Sequence, residues 1–217
     1  MSDAHSPLFQ VEWHWQVPYI ETLHRQEHLR QRVYANHPEV IVLAEHLPTI
    51  TLGKRGGTVL TPDPNTEIYR INRGGLATWH GPGQLAIYPI IDLRRHHLGV
   101  RTFACILESA TIETLGQFKI MANRNPGQPG IWVQNRKIAA LGLDIKKDIN
   151  IHGIALNISN APSCFAQIEA CGDSSVQYTS VCKELDQKDI PLQYIGKMWV
   201  ENFRAELNFH KRNNSSI

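Results

Sequence analysis

Residues 131–158 read IWVQNRKIAALGLDIKKDINIHGIALNI, and their punctuation decides the fold class. Three apolar runs, Ile131 to Gln134, Lys137 to Ile145 and Ile151 to Ile158, have strand-like length and composition. Asn135-Arg136 joins the first two as a hairpin turn, and a short polar link joins the last two. Links this short connect antiparallel neighbours, because a parallel pair needs a crossover of a dozen residues or more.

Upstream, Asn125-Pro126-Gly127 and Pro129-Gly130 predict a loop. Phe103, Ile106, Leu107, Ala110 and Leu115 recur at helical spacing. Leu85 to Asp92 is another strand, and its Tyr88-Pro89 step places it at an edge or at a bulge, because proline lacks the ladder donor. Glu67 to Asn72, Thr49 to Leu52 and Val40 to Ala44 add three strands. Ile20, Leu23, Leu29 and Val33 stripe a helix from about Tyr19 to Ala35. Downstream, a final helix starts near Pro191, with Ile195, Met198, Trp199 and Phe203 on its apolar face, and the tail frays from Asn213. Helices flanking groups of short-linked strands predict an α+β fold with a mixed, largely antiparallel β-sheet. The chain is expected to be a single domain, with residues after about 165 as an optional small C-terminal subdomain.

A chain of 217 residues buries a core without disulfides or a structural metal. A net charge of +2 gives no reason to expect a nucleic-acid or membrane partner. The four cysteines, Cys105, Cys164, Cys171 and Cys182, contain no CxxC pair and are expected to be free thiols in a reducing compartment. Met1 to Gln10 has neither a basic start nor an apolar run, and no segment reaches membrane-span length, so a cytoplasmic location is expected. The eleven histidines show no HExxH or paired Cys/His spacing, so no metal is expected.

Four segments can carry chemistry. Residues 73–84, RGGLATWHGPGQ, hold four glycines in twelve residues between two expected strands. Glycines let backbone approach a ligand, although a glycine-rich hairpin explains the composition as well. The spacing fits neither a phosphate-binding loop nor a dinucleotide fingerprint. Lys137 opens the small-residue strand Ile138-Ala139-Ala140-Leu141-Gly142, whose slender side chains leave room for a substrate. A lysine there is ordinarily a solvated surface residue, and burial would favour its neutral, basic form. His152 and Gly153 interrupt an apolar strand, where a lone histidine is usually a hydrogen-bonded core residue. Cys171-Gly172 lies in a turn-like stretch, but composition does not separate Cys171 from the other three thiols.

In order along the chain, EHLPTITLGKRG (Glu45 to Gly56), RGGLATWHGPGQLAIYPIIDL (Arg73 to Leu93), RKIAALGL, IHGIALNIS and ACG-x(6)-TSV together resemble the lipoyl(octanoyl) transferase family. The departures are Trp79 for tyrosine, Ala170 for proline, and Asp173 for an aliphatic residue. The resemblance implies the fold of biotin and lipoate protein ligases. It also implies octanoyl transfer from acyl carrier protein to a lysine of lipoyl domains, those of 2-oxoacid dehydrogenases and of the glycine cleavage H protein, through a thioester on Cys171 with Lys137 as acid/base partner and no cofactor. The implied acyl-binding residues are Arg73, Gly74, Gly75, Leu76, Ala77, Thr78, Trp79 and His80, then Ala139, Ala140 and Leu141, then His152, Gly153 and Ile154. The rival readings are an ATP-dependent lipoate or biotin ligase on the same fold, a non-catalytic module that binds acylated protein, and a Cys/His hydrolase.

Overall fold

The computed structural model describes residues 9–169 and 176–214. Cys171 lies outside the described residues, as do Ala170 and Asp173. In chain order the elements are β1 (Gln10–Val17), α1 (Tyr19–Tyr34), β2 (Val40–His46), β3 (Thr49–Leu52), β4 (Thr58–Val59), β5 (Glu67–Arg70), β6 (Ala77–His80) and β7 (Gln84–Ile90). A 3-10 turn, Leu93–His96, leads to α2 (Val100–Gln117), β8 (Asn123–Asn125), β9 (Gln128–Val133), β10 (Arg136–Lys146) and β11 (Ile149–Asn157). A second 3-10 turn, Pro162–Gln167, precedes β12 (Ile168–Glu169), β13 (Gln177–Tyr178), α3 (Val181–Leu185) and α4 (Leu192–Asn214).

The main sheet runs β1-β2-β7-β11-β10-β9-β8, with β13 added beside β10. Only the β1/β2 and β13/β10 pairs in it are parallel among the described residues, so the sheet is mixed and largely antiparallel, as the short links predict. The central strands β2 and β7 are apolar almost throughout because both of their faces are covered. Ile41, Leu43, Leu85 and Ile87 meet Phe103 and Leu107 of α2 and Ile195, Trp199 and Phe203 of α4. Val42, Ala44, Ala86 and Ile90 meet Leu29 and Val33 of α1. A three-stranded sheet, β5-β3-β6, and the β12/β4 pair enclose a smaller cluster of Ile50, Leu52, Trp79, Phe165 and Ile168.

Two expectations need correction. Residues 123–133 form the hairpin β8/β9 around Pro126-Gly127, with Asn125 paired to Gln128, where a loop is expected. Strand β7 lies in the middle of the sheet, not at an edge, although it contains Pro89. The irregularity lies across the ladder. Strand β11 pairs with β7 from Asn157 back to Ile154 and then breaks opposite Pro89. There His152 takes a left-handed conformation with φ 61°. Its amide turns to Gln26 Oε1 of α1 at 2.8 Å. The buried Asn150 side chain donates to the Pro89 carbonyl at 2.8 Å and the His152 carbonyl at 3.0 Å. One side-chain amide thus occupies acceptors at the break left by a proline with no N–H. Gly153 is required here, since a Cβ on it would lie 2.2 Å from the Ile87 carbonyl oxygen.

Candidate active site

A cavity of about 260 Å³ lies on the face of the sheet that carries Tyr88 and the first residue of α1, Tyr19. Its floor is strand β10 against β11, where the small pairs Ala140↔Ala155 and Gly142↔Gly153 leave space above the backbone.

Lys137 closes one end. The β10/β9 register shifts between Lys137 and Ala139, and this bulge changes which face the side chains take. Ile138 and Ala139 are both buried in the core, and Lys137 joins Ala140 and Gly142 at the cavity. The lysine side chain is buried and runs across Gly130, a residue with φ 115°. A Cβ at Gly130 would lie 2.7 Å from Lys137 Cε and 3.4 Å from Nζ. Glycine is therefore what admits the amine. Nζ lies 5.4 Å from the Trp132 ring centroid, within cation–π range.

The other end is polar and buried. The left-handed turn at His152 brings its ring near Tyr88, at 6.3 Å between centroids, and near Tyr19, whose hydroxyl is 3.5 Å from Nδ1. Tyr88 pairs with His46 at 2.8 Å, and Tyr19 stacks on His80 at 5.4 Å. His80 is held by Gln84 Oε1 at 2.8 Å and lies 3.3 Å from Thr51 Oγ1. Burial lowers all three imidazoles, His46 to about 4, His152 to about 3 and His80 well below the ordinary histidine value. They are neutral at pH 7. Burial likewise raises Tyr19 and Tyr88, keeping both phenols protonated.

Arg73 is the cation of this end, 7% exposed. It donates to the Thr51 carbonyl at 2.7 Å, to Thr51 Oγ1 at 2.9 Å and to the Gly74 carbonyl at 2.9 Å. No carboxylate among the described residues forms an ion pair with it. The Gly74 amide donates to the Leu143 carbonyl at 2.9 Å, and the Gly75 carbonyl accepts from the Arg55 amide at 3.2 Å. The glycine-rich segment is thereby tied to β10 on one side and to the loop after β3 on the other.

Of the residues implied as acyl-binding, residues 73–78, His80, Ala140, Leu141, His152, Gly153 and Ile154 line the cavity. Trp79 and Ala139 do not. Trp79 is buried against Phe165, with ring centroids 5.8 Å apart, and Ala139 faces the core. The lining also includes Gly142 of the small-residue strand, and Tyr19, Arg55, Tyr88, Pro129, Leu143, Ala155 and Tyr178, to which the sequence reading gives no role. Among the other thiols, Cys105 is exposed, while burial raises both Cys164 and Cys182 above the ordinary thiol value. Burial of that kind makes a thiol less reactive. Among the described residues no three metal-ligating side chains converge, and no helix is long and apolar enough to cross a membrane.

Residues 18–204 match the family model of the lipoyl protein ligase A/B catalytic domain. An octanoyltransferase of Citrifermentans bemidjiense is 34% identical over 194 residues, spanning 89% of this chain and 95% of the relative. One of Thermobifida fusca is 40% identical over 190 residues, spanning 81% and 80%. The chain belongs to the octanoyltransferase family. It is an acyltransferase of lipoylation, and its fold is that of the ligases. The lipoate-bound P. falciparum LipL1 structure superposes with a TM-score of 0.69 at 14% identity, covering 92% of this chain and 62% of that one. Biotin protein ligase from Aquifex aeolicus superposes at 0.57 with 12% identity, covering 94% and 72%.

Proposed function

We propose that the chain moves an octanoyl group from octanoyl-acyl carrier protein to Cys171 and then to the ε-amine of a lysine on a lipoyl domain. The acceptors are the lipoyl domains of 2-oxoacid dehydrogenases and the glycine cleavage H protein. The observation that carries this reading is the buried amine of Lys137 at one end of a cavity floored by the small residues Ala140, Gly142, Gly153 and Ala155. What supports Cys171 as the partner of Lys137 is that Tyr178, seven residues further along the sequence, pairs with Lys137 in the sheet.

In the first half-reaction the Cys171 sulfur forms a bond to the acyl carbonyl carbon, the donor C–S bond breaks, and the released carrier thiolate takes a proton. In the second, the acceptor amine forms the C–N bond, the Cys171 C–S bond breaks, and the amine's surplus proton passes to Lys137 or to the leaving thiolate. Thioester exchange is nearly balanced and amide formation is downhill, so no nucleotide is consumed. Lys137 serves as proton carrier in both halves.

The test is intact-mass measurement after mixing with octanoyl-acyl carrier protein. One octanoyl adduct on the wild type, absent from Cys171→Ser and passed to an added lipoyl domain without ATP, is the expected result. An adduct that survives in Cys171→Ser, or acceptor modification that requires ATP, overturns the reading.

A further inference from the structure

The polar end of the cavity has no part in the transfer chemistry, yet it is built at a particular distance from the reactive end. Lys137 Nζ lies beside Gly130, and since Ile131 pairs with Ala139, Gly130 stands at the level of Ala140. Three residues further along β10, Leu143 faces His152. At ~3.3 Å per residue this is about 10 Å. An extended eight-carbon acyl chain spans seven bonds from carbonyl to methyl, about 8–9 Å at the ~1.2 Å per bond of an extended backbone.

We propose that Tyr19, Tyr88 and His152 form the stop that limits the length of the acyl chain. The proposal rests on the octanoyl-transfer reading above. An apolar end wall would repack around two more methylenes. This wall cannot do so cheaply. Tyr88 is tied to His46 at 2.8 Å, the His152 backbone is pinned by Gln26 and Asn150, and the Tyr19 ring is stacked on His80. Pushing Tyr88 aside parts it from His46, and moving the Tyr19 or His152 ring parts the Tyr19 hydroxyl from His152 Nδ1. An unpaired buried donor or acceptor offsets what the added methylenes gain.

The test compares kcat/KM for eight-, ten- and twelve-carbon acyl carrier thioesters. His152→Gly removes the ring at a position whose positive φ glycine accepts without strain. It is expected to raise the ten-over-eight ratio about tenfold or more, the discrimination that one or two methylenes make in an apolar pocket. Tyr88→Leu opens the same wall from β7 and is expected to move the ratio in the same direction. It decides the matter if the first variant does not fold. Taking the ratio cancels any general loss of activity. Unchanged ratios in the folded variants overturn the stop while leaving the transfer reading intact. No transfer of any chain length by the wild type overturns the reading beneath it.

Discussion

On the face covered by α2 and α4, the main sheet presents Ile41, Leu43, Leu85, Ile87 and Leu156, which pack on helix side chains of the same kind. On the face shared with α1, the sheet presents Tyr88, Gly153, Gly142 and a turned-out His152, and three departures from regular backbone shape the cavity there. They are the break opposite Pro89, the bulge before Ala139 and the glycine under Lys137. The first face is interchangeable packing, and its role is stability. The second gives up ladder bonds to aim particular groups into a space. The contrast separates what a substitution costs the fold from what it costs the reaction.

The largest effect is expected at Lys137. Lys137→Met is nearly isosteric and should leave the folded structure intact while slowing single-turnover transfer from preformed acyl-enzyme about 10²–10⁴-fold. Lys137→Arg keeps the charge but cannot act as a base at ordinary pH, and should be close to methionine in that step. Transfer by Lys137→Met at the wild-type rate would make Lys137 a packing residue.

Trp199→Ala tests the opposite face. The indole is fully buried between α4 and the sheet and donates to Thr111 Oγ1 at 2.9 Å. Its removal should cost about 3–5 kcal/mol in urea unfolding. The acyl-loading stoichiometry of the fraction that remains folded should not change.

Gly153→Ala lies where the two demands meet. The added methyl would be 2.2 Å from a backbone oxygen and 2.9 Å from Pro89 Cδ, so the strands must part. A loss of about 1–3 kcal/mol is expected. A displaced His152 should also alter the chain-length profile, so both losses should appear in one variant.

How far the sequence reaches follows the same division. The regular parts are legible. The three strands of residues 131–158 are found in that order, and so are the three long helices, because apolar periodicity and short links record them. Strand β1 lies beyond the expected elements although Val11, Trp13 and Trp15 alternate as a half-buried strand should. The alternation is visible in sequence, but its parallel pairing with β2 depends on the helix between them returning the chain. The glycine-rich segment, Lys137 and His152 stand out as unusual residues in their strands, but the bulge that aims Lys137 and the left-handed turn that aims His152 are not written in local composition. Tyr19 and Tyr88 are harder still. Each reads as an ordinary aromatic at the start of a helix or within a strand, and Tyr19 meets His152 across 133 residues. Pro89 is the instructive case. Its missing N–H is a true constraint, but the edge is not the only way to meet it, and Asn150 offers another.

Acid should expose the α1 face first. His46 and His152 are held neutral down to about pH 4 and 3, mainly by burial, and His80 is lowered as well. The unfolded chain protonates these rings near pH 6.5, so between about pH 6.5 and 4 it binds more protons than the folded chain. Stability is therefore full above about pH 6.5 and falls with pH through that window, by up to about 1.4 kcal/mol per pH unit for each such histidine. Urea midpoints at pH 7.5, 6 and 5 measure the slope, and His46→Gln should flatten it. An unchanged slope would mean that His46 does not carry this linkage.

The smallest effect is expected at Lys54, where the loop after β3 meets the same face. Its amine bonds to Asp144 Oδ1 at 3.1 Å and is 57% exposed, whereas the other oxygen of that carboxylate is held at 2.9 Å by Arg30, whose side chain is 7% exposed. Burial alone would raise Asp144, but Arg30 and Lys54 outweigh it and hold the carboxyl below its ordinary value. The pair Arg30–Asp144 joins α1 to β10 out of water, and losing either member strands a buried charge. Lys54 strands nothing. Its loop is already held by backbone bonds from Gly53 to Leu76, Lys54 to Arg73 and Arg55 to Gly75. Lys54→Ala should therefore change stability by about 0–1 kcal/mol, and the difference should vanish in high salt because an exposed pair is screened. A loss well beyond that range, insensitive to salt, would show that the loop over the cavity is held in place by charge rather than by its backbone.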